Sequence, residues 1–168
     1  VKFSVFGCAD NPNKWVPASK IKGKYKIALH HGSVQGSFTD AEHEIETGIT
    51  LEHFNGFDLG MLGDIHKAQF LDIESTIGYS SSLLQQNYGE TVEGHGLIVW
   101  DLKAKEGQFI EIPNDYGYMT FNLDGTFCPI PDNLPPNLRV RIKHDNSSKE
   151  QVEDFVKRLS KKYKITEL

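Results

Sequence analysis

Short apolar segments recur along this chain, and residues that favour turns separate them. This pattern predicts strands more often than helices. We expect a long loop over residues 32–48 and one helical turn over 50–54, with Thr50 as its cap. The chain is therefore predicted to be a strand-rich α/β protein of the α+β type. The expected strands are residues 1–8, 25–29, 57–62, 68–73, 75–79, 96–102, 108–112, 118–123 and 138–143.

The end of the chain carries a different pattern, typical of an amphipathic helix. Ser148 and Gln151 have the spacing of a capping box, which predicts that the helix begins there. Apolar residues then recur at helical spacing and predict one buried stripe. The stripe consists of Val152, Phe155, Val156, Leu159 and Tyr163.

Charge is distributed unevenly along the 168 residues. The net charge is −5, made up of −9 over residues 1–136 and +4 over residues 137–168. Proteins that bind nucleic acid usually carry a basic surface. This chain is acidic overall, so any affinity for phosphate would have to come from bound cations or from the basic C-terminal segment. The proline-rich segment 129–137 predicts a boundary between two domains, residues 1–130 and 131–168.

Cys8 and Cys128 are far apart and belong to no CxxC pair, which argues against a disulfide framework or a zinc ribbon. We expect two buried, reduced cysteines and a cytoplasmic protein, or one in the host cytoplasm if the protein is viral. The sequence has no signal peptide and no apolar run near the ~18 residues of a membrane helix, so no membrane partner is expected. The chain begins with Val1 rather than Met, which suggests an excised piece of a longer protein or an incomplete reading frame.

Two apolar strands end in residues that can bind metals. IALHHG, residues 27–32, ends on His30 and His31, and MLGDIH, residues 61–66, ends on Asp64 and His66. Imidazole together with carboxylate suits manganese, iron or zinc, and these residues would form half of a two-metal site. The same residues also fit structural histidines and a turn-forming aspartate, and spacing alone does not decide between the two interpretations.

Four segments occur in a characteristic order: IALHHGSVQGS, FDLGMLGDIHKAQ, YSSSLLQQNYGE and HGLIVWDL. The series resembles the second half of a calcineurin-like metallophosphoesterase. It is most similar to DNA-repair and recombination nucleases of the Mre/SbcD type, especially phage and virus versions. The resemblance implies the C-terminal half of a two-sheet sandwich, followed by the start of a small α/β capping domain that contacts DNA.

The resemblance also implies roles for individual residues. His30 matches a metal-binding histidine, His31 is a second candidate, and His66 matches the last histidine of G-H-x-H. Asp64 stands where the first histidine of that pair usually stands. Residues 79–82, YSSS, replace Y-P-G-S, and the QQNYGE segment is expected to be structural. His95 is more often structural than ligating, and the capping strand would contact DNA through Arg139, Arg141 and Lys143.

Three motifs that the superfamily carries toward its N-terminus, D-x-H, G-D-x-x-D and G-N-H-D/E, do not occur ahead of His30 in this chain. They carry the remaining metal ligands and the catalytic histidine, so no catalytic residue is expected within this chain. The resemblance therefore implies a fragment of a nuclease that uses two divalent cations, expected to be Mn²⁺ with Mg²⁺ as the alternative. Its expected partners are DNA and an SMC-like ATPase subunit of the SbcC/Rad type, and its homodimer contact would lie in the missing part.

Two other hypotheses remain open. A phosphatase or nucleotide phosphodiesterase of the same superfamily would keep the metal site and change the substrate. A degenerate, non-catalytic half-domain would lack the upstream motifs altogether. The isolated chain is expected to show weak or no nuclease activity, because half a site cannot fix two cations in a defined geometry.

Overall fold

The computed structural model describes all 168 residues and confirms a strand-rich α+β fold. It contains ten strands, one α-helix and three single-turn 3-10 helices. The 3-10 helices are Pro12–Lys14, Ala18–Lys20 and Leu51–Phe54. The α-helix and strands are β1 Lys2–Phe6, β2 Lys26–His31, β3 Leu59–Gly63, β4 Gln69–Phe70, β5 Ile77–Tyr79, β6 Gly96–Asp101, β7 Glu106–Glu111, β8 Tyr116–Leu123, β9 Asn137–His144, α1 Lys149–Ser160 and β10 Lys164–Glu167.

The chain divides into two compact units. The first comprises residues 1–83 and 94–112, and the second comprises residues 84–93 and 113–168. The division follows Ile112 and not residue 130, where the proline-rich segment predicted a boundary. That segment lies inside the second unit, because Ile130 and Leu134 pack against its core. The assignment of the units to a catalytic and a capping domain stays a prediction.

A five-stranded sheet organises the first unit, in the order β1-β2-β3-β5-β4. Strands β1, β2, β3 and β5 are parallel, and β4 pairs antiparallel with β5. The register places Phe6 beside His30, His30 beside Leu62 and Leu62 beside Tyr79. These buried residues share one face of the sheet. Apolar residues from the segments between the strands pack over that face. These covering residues include Val34 and Ile49 of the connecting segments and Phe54 of the third 3-10 helix.

Strand β1 forms one edge of this sheet and pairs only with β2. Its other face carries Phe3 and Val5, which are 58% and 75% exposed. An unpaired edge with exposed apolar side chains favours association with another strand. Strands β6 and β7 form a separate antiparallel ribbon in the same unit.

The second unit is built on a parallel three-stranded sheet in the order β10-β9-β8. Helix α1 connects β9 to β10 and buries Phe155 and Leu159 against Leu138 and Val140 of the sheet. The predicted capping box is present, since the Ser148 N–H donates to Gln151 Oε1 at 2.7 Å. Strand β10, which follows the helix, had no sequence-based prediction.

The structure contains no helix that is long and apolar enough to span a membrane. Both cysteines are free, as predicted, but the prediction that both are buried is wrong for Cys8. Cys8 is exposed because it lies just beyond the end of edge strand β1, whereas Cys128 is half-buried near α1. Burial raises the pKa of the Cys128 thiol.

Asp58 joins two segments of the first unit at the start of β3. Its Oδ2 accepts the Lys26 N–H at 2.8 Å, and its Oδ1 lies 2.6 Å from Lys105 Nζ. Burial raises the pKa of this carboxyl, but the hydrogen bonds from Lys105 and Lys26 outweigh burial, and the pKa falls below its usual value. The folded state therefore favours the carboxylate.

We expect Asp58→Asn to lower the free energy of unfolding at pH 7 by about 1 kcal/mol. A lowered folded-state pKa stabilises the fold above the unfolded pKa of about 3.9, and this stabilisation is lost as the pH falls through the folded value. The difference between wild type and variant should therefore shrink below about pH 4. Urea unfolding between pH 7 and pH 2.5 measures it, and a constant difference would contradict the prediction.

Candidate functional site

The carboxyl ends of β1, β2, β3 and β5 meet at one edge of the first unit's sheet, because these strands are parallel. Ligands tend to bind at such edges in α/β proteins. His30 and His31 are the last two residues of β2. Asp64 and His66 follow β3 directly, in its connection to β4. The four candidate metal ligands therefore share one edge of the sheet.

His30 is almost entirely buried, with 3% of its surface exposed. Its Nδ1 lies 3.0 Å from the Phe6 carbonyl oxygen. A carbonyl oxygen only accepts, so Nδ1 carries the hydrogen and Nε2 of the neutral ring is left with its lone pair. This buried Nε2 has no hydrogen-bond partner. Metal-binding histidines are commonly oriented in this way, by a hydrogen bond from the other ring nitrogen.

Aromatic rings hold the His30 ring in place. The centroid of Trp15 lies 5.1 Å from that of His30, and the Phe54 centroid lies 6.3 Å from it. Gly32 keeps the space beside Nε2 open, since a Cβ at this position would stand 2.7 Å from Nε2. No sequence pattern singled out Trp15, because it lies outside the predicted strands and helices. Both the packing of these rings and the hydrogen bond to the Phe6 carbonyl therefore fix the direction of Nε2.

Asp64 adopts a strained backbone conformation, with φ of +93°, and its side chain is exposed. Residues other than glycine rarely adopt such angles, and those that do cluster at functional sites. His31 is exposed beside Gly63, while His66 is half-buried. No three His, Cys, Asp or Glu side chains in the structure lie close enough together to hold a metal ion. His30 thus fits a metal ligand, but these residues alone do not complete a site.

Tyr79 ends β5 at the same edge and is fully buried. Its hydroxyl donates to the Gly32 carbonyl at 2.8 Å, which ties β5 to the loop beside His30. Burial raises the pKa of Tyr79 to about 12. The hydroxyl therefore stays protonated and serves as a structural donor.

The YSSS segment, residues 79–82, begins on the last residue of β5 and continues as irregular backbone. Ser81 has φ of +70°, and it occupies the position where the related motif Y-P-G-S has glycine. His95 is buried, and its Nδ1 lies 3.1 Å from the Ser82 carbonyl and 3.2 Å from Ser82 Oγ. Ser81 therefore adopts a backbone angle typical of glycine without being glycine, and His95 is hydrogen bonded in the manner of a structural histidine.

Replacing Ser81 with glycine should raise the free energy of unfolding by about 1 kcal/mol, because glycine adopts positive φ without steric cost. Thermal unfolding followed by circular dichroism measures the change. The neighbouring Ser80 has no such backbone conformation, so Ser80→Gly should destabilise by a few tenths to about 1 kcal/mol. Equal effects of the two substitutions would contradict this interpretation.

In the second unit, the QQNYGE segment forms a turn that pairs with strand β8. Gln85 is buried, its Oε1 accepts the Tyr118 N–H at 2.7 Å, and its Nε2 donates to the Tyr118 carbonyl at 3.0 Å. The side-chain amide thus pairs with β8 as a neighbouring strand would. Glu90 closes the turn by accepting the Gln86 N–H at 2.7 Å. These hydrogen bonds give the QQNYGE segment a structural role, because they pair it with the backbone of β8 and close its turn.

The predicted DNA-contacting residues Arg139, Arg141 and Lys143 are exposed along β9 of the second unit. Arg139 Nη1 donates to the Tyr118 hydroxyl at 2.6 Å, and its Nε lies 3.3 Å from Glu167 Oε2. The guanidinium of Arg141 stacks over the Tyr88 ring, at 4.0 Å from its centroid. No sequence pattern singled out these two tyrosines. Residues 116–123 alternate between buried and more exposed positions. This alternation places Tyr118 on the more exposed side of the strand.

No protein-family model matches this chain. An uncharacterized protein of Acanthamoeba polyphaga mimivirus, R555, is 41% identical to it over 154 residues. The match covers 89% of this chain and 11% of R555, so the chain spans about a tenth of the relative's length. The relative is viral, and its name states no activity.

Proposed function

We propose that this chain is part of a two-metal DNA nuclease of the Mre/SbcD type. It would comprise the C-terminal part of the catalytic domain and the start of the capping domain. The ordered motifs that resemble this family support the proposal. The observation that carries it is His30 Nε2, which is buried, unpartnered and fixed in direction at the carboxyl edge of a parallel sheet.

Within this proposal, His30 binds a cation through Nε2, because Nδ1 is already engaged by the Phe6 carbonyl. Asp64 and His66 supply a carboxylate and an imidazole, and His31 is the second histidine candidate. The expected cations are Mn²⁺ or Mg²⁺, which in two-metal sites stabilise charge on the attacking and leaving oxygens of a phosphodiester. The remaining ligands would come from motifs outside these residues.

The larger protein would act on DNA ends together with an SMC-like ATPase of the SbcC/Rad type. It would work in the cytoplasm, or in the host cytoplasm if it is viral. Arg139, Arg141 and Lys143 would contact the phosphates of the substrate. The isolated chain, as half a site, is expected to bind cations weakly and to hydrolyse no DNA.

Electron paramagnetic resonance of Mn²⁺ tests the metal part of the proposal, since binding broadens the signal of the free ion. We expect the chain to reduce this signal, and Asp64→Asn and His66→Gln each to weaken binding several-fold. His43→Gln is the matched control, because His43 is an exposed histidine that the proposal gives no role. Absence of Mn²⁺ binding, or equal binding by all four proteins, would overturn the proposal.

A further inference from the structure

The second unit contains a cleft of about 240 Å³ near the beginning of its parallel strands. Residues from β8, β9 and β10 and from the 84–93 segment line it. Its walls combine aromatic rings, side-chain amides and one guanidinium. The residues that matter for its chemistry are Leu84, Asn114, Tyr116, Tyr118, Asn137 and Arg139.

Asn114 lines this cleft and carries a hydrogen-bond donor that has no partner in the structure. Its Oδ1 accepts the Tyr116 N–H at 3.0 Å, which fixes the orientation of the amide. Its Nδ2 is buried and has no partner. Buried donors are nearly always satisfied, and an unsatisfied one costs free energy. A ligand that presents an acceptor would relieve this cost.

Two tyrosines give the cleft aromatic walls. Tyr116 is 63% exposed, which is unusual for a large aromatic residue within a strand. Tyr118 is held by Arg139, whose guanidinium lies 5.2 Å from the ring centroid, and by an edge contact with Tyr88 at 5.0 Å. One ring is therefore free to stack on a ligand, and the other is held rigidly.

A row of cations leads away from the cleft. Arg139, Arg141 and Lys143 alternate along β9 on the face opposite to the buried Leu138 and Val140. Stacking over Tyr88 holds Arg141 in place, at 4.0 Å from the ring centroid. A ligand complementary to this surface has a planar ring with an acceptor at one point and negative charges that repeat beyond it.

We propose that this cleft binds one unpaired base of single-stranded DNA. The base stacks on Tyr116, and Asn114 Nδ2 donates to an acceptor on its edge. The basic row then contacts the phosphates that follow. Single-strand binders combine stacking aromatics with a positively charged track in this way. The choice of DNA rests on the proposed function, whereas base recognition rests on the cleft itself.

Fluorescence anisotropy with labelled oligo-dT in EDTA tests the proposal without any metal chemistry. The control is an abasic strand of the same length, which keeps every phosphate and lacks the bases. We expect oligo-dT to bind at least tenfold more tightly than the abasic strand, because stacking contributes to binding base by base. Equal affinity for the two strands would overturn the proposal.

Tyr116→Ala should weaken oligo-dT binding about tenfold and leave abasic binding unchanged. Phe127→Ala is the matched control, since Phe127 is also exposed, at 76%, and does not line the cleft. Asn114→Asp keeps the acceptor for the Tyr116 N–H and removes the free donor, so it should also weaken oligo-dT binding. Full affinity in both cleft variants would overturn the proposal.

Lys143→Gln should weaken both strands equally and flatten the salt dependence, because it removes a phosphate contact outside the cleft. Strand binding further requires that free dTMP compete poorly, and efficient competition by dTMP would overturn it. The two proposals fail separately. Loss of base-dependent binding leaves the Mn²⁺ result intact, and absence of Mn²⁺ binding leaves the oligo-dT result intact.

Discussion

Replacing His30 with alanine is expected to lower the free energy of unfolding of the first unit by about 3 kcal/mol. The substitution empties a site packed against Trp15 and Phe54, and it leaves the Phe6 carbonyl without its donor. Removal of the unpartnered Nε2 offsets part of this loss. Urea unfolding followed by tryptophan fluorescence reports on the change, since Trp15 and Trp100 both lie in the first unit.

His31→Ala is the matched control for His30→Ala. The two histidines are adjacent on β2, but His31 is exposed. Its removal should change stability by less than about 0.5 kcal/mol. Equal losses from the two substitutions would show that burial does not distinguish these residues, and would remove the argument that His30 is held in a fixed orientation.

Gln85→Ala should destabilise the second unit by about 2–3 kcal/mol. The variant loses the two hydrogen bonds to the Tyr118 backbone and a third, at 2.9 Å, to the Glu90 carbonyl. Hydrogen exchange of the Tyr118 amide, measured by NMR, is the most direct readout. This amide should be protected in the wild type and exchange much faster in the variant.

Gln86→Ala provides the control for this prediction. Gln86 is exposed, and its hydrogen bond to Glu90 uses only its backbone N–H. Alanine should therefore leave both stability and exchange at Tyr118 nearly unchanged. Unaltered protection of Tyr118 in Gln85→Ala would contradict the pairing of this side chain with β8.

Local sequence was sufficient wherever neighbouring residues decide the conformation. The Ser148–Gln151 capping box and the apolar stripe predicted α1, because capping and helical periodicity act over one or two turns. The histidines of IALHHG were predicted to follow a strand over residues 25–29, and the structure extends that strand to include them as its last two residues. Strand β10 was missed because its four residues, KITE, carry too little apolar signal. It forms through pairing with β9, which is distant in the sequence.

For this protein the sequence determined the strand-rich class, the C-terminal helix and the set of candidate ligands. Only the tertiary structure decided that His30 Nε2 is buried without a partner, that Asp64 lies at positive φ and that Gln85 pairs with β8. It also decided that Cys8 is exposed and that Asn114 lines a cleft with a free donor. The physical reason is that burial, hydrogen-bond satisfaction and strand pairing depend on residues far apart in the chain, and no local pattern encodes them.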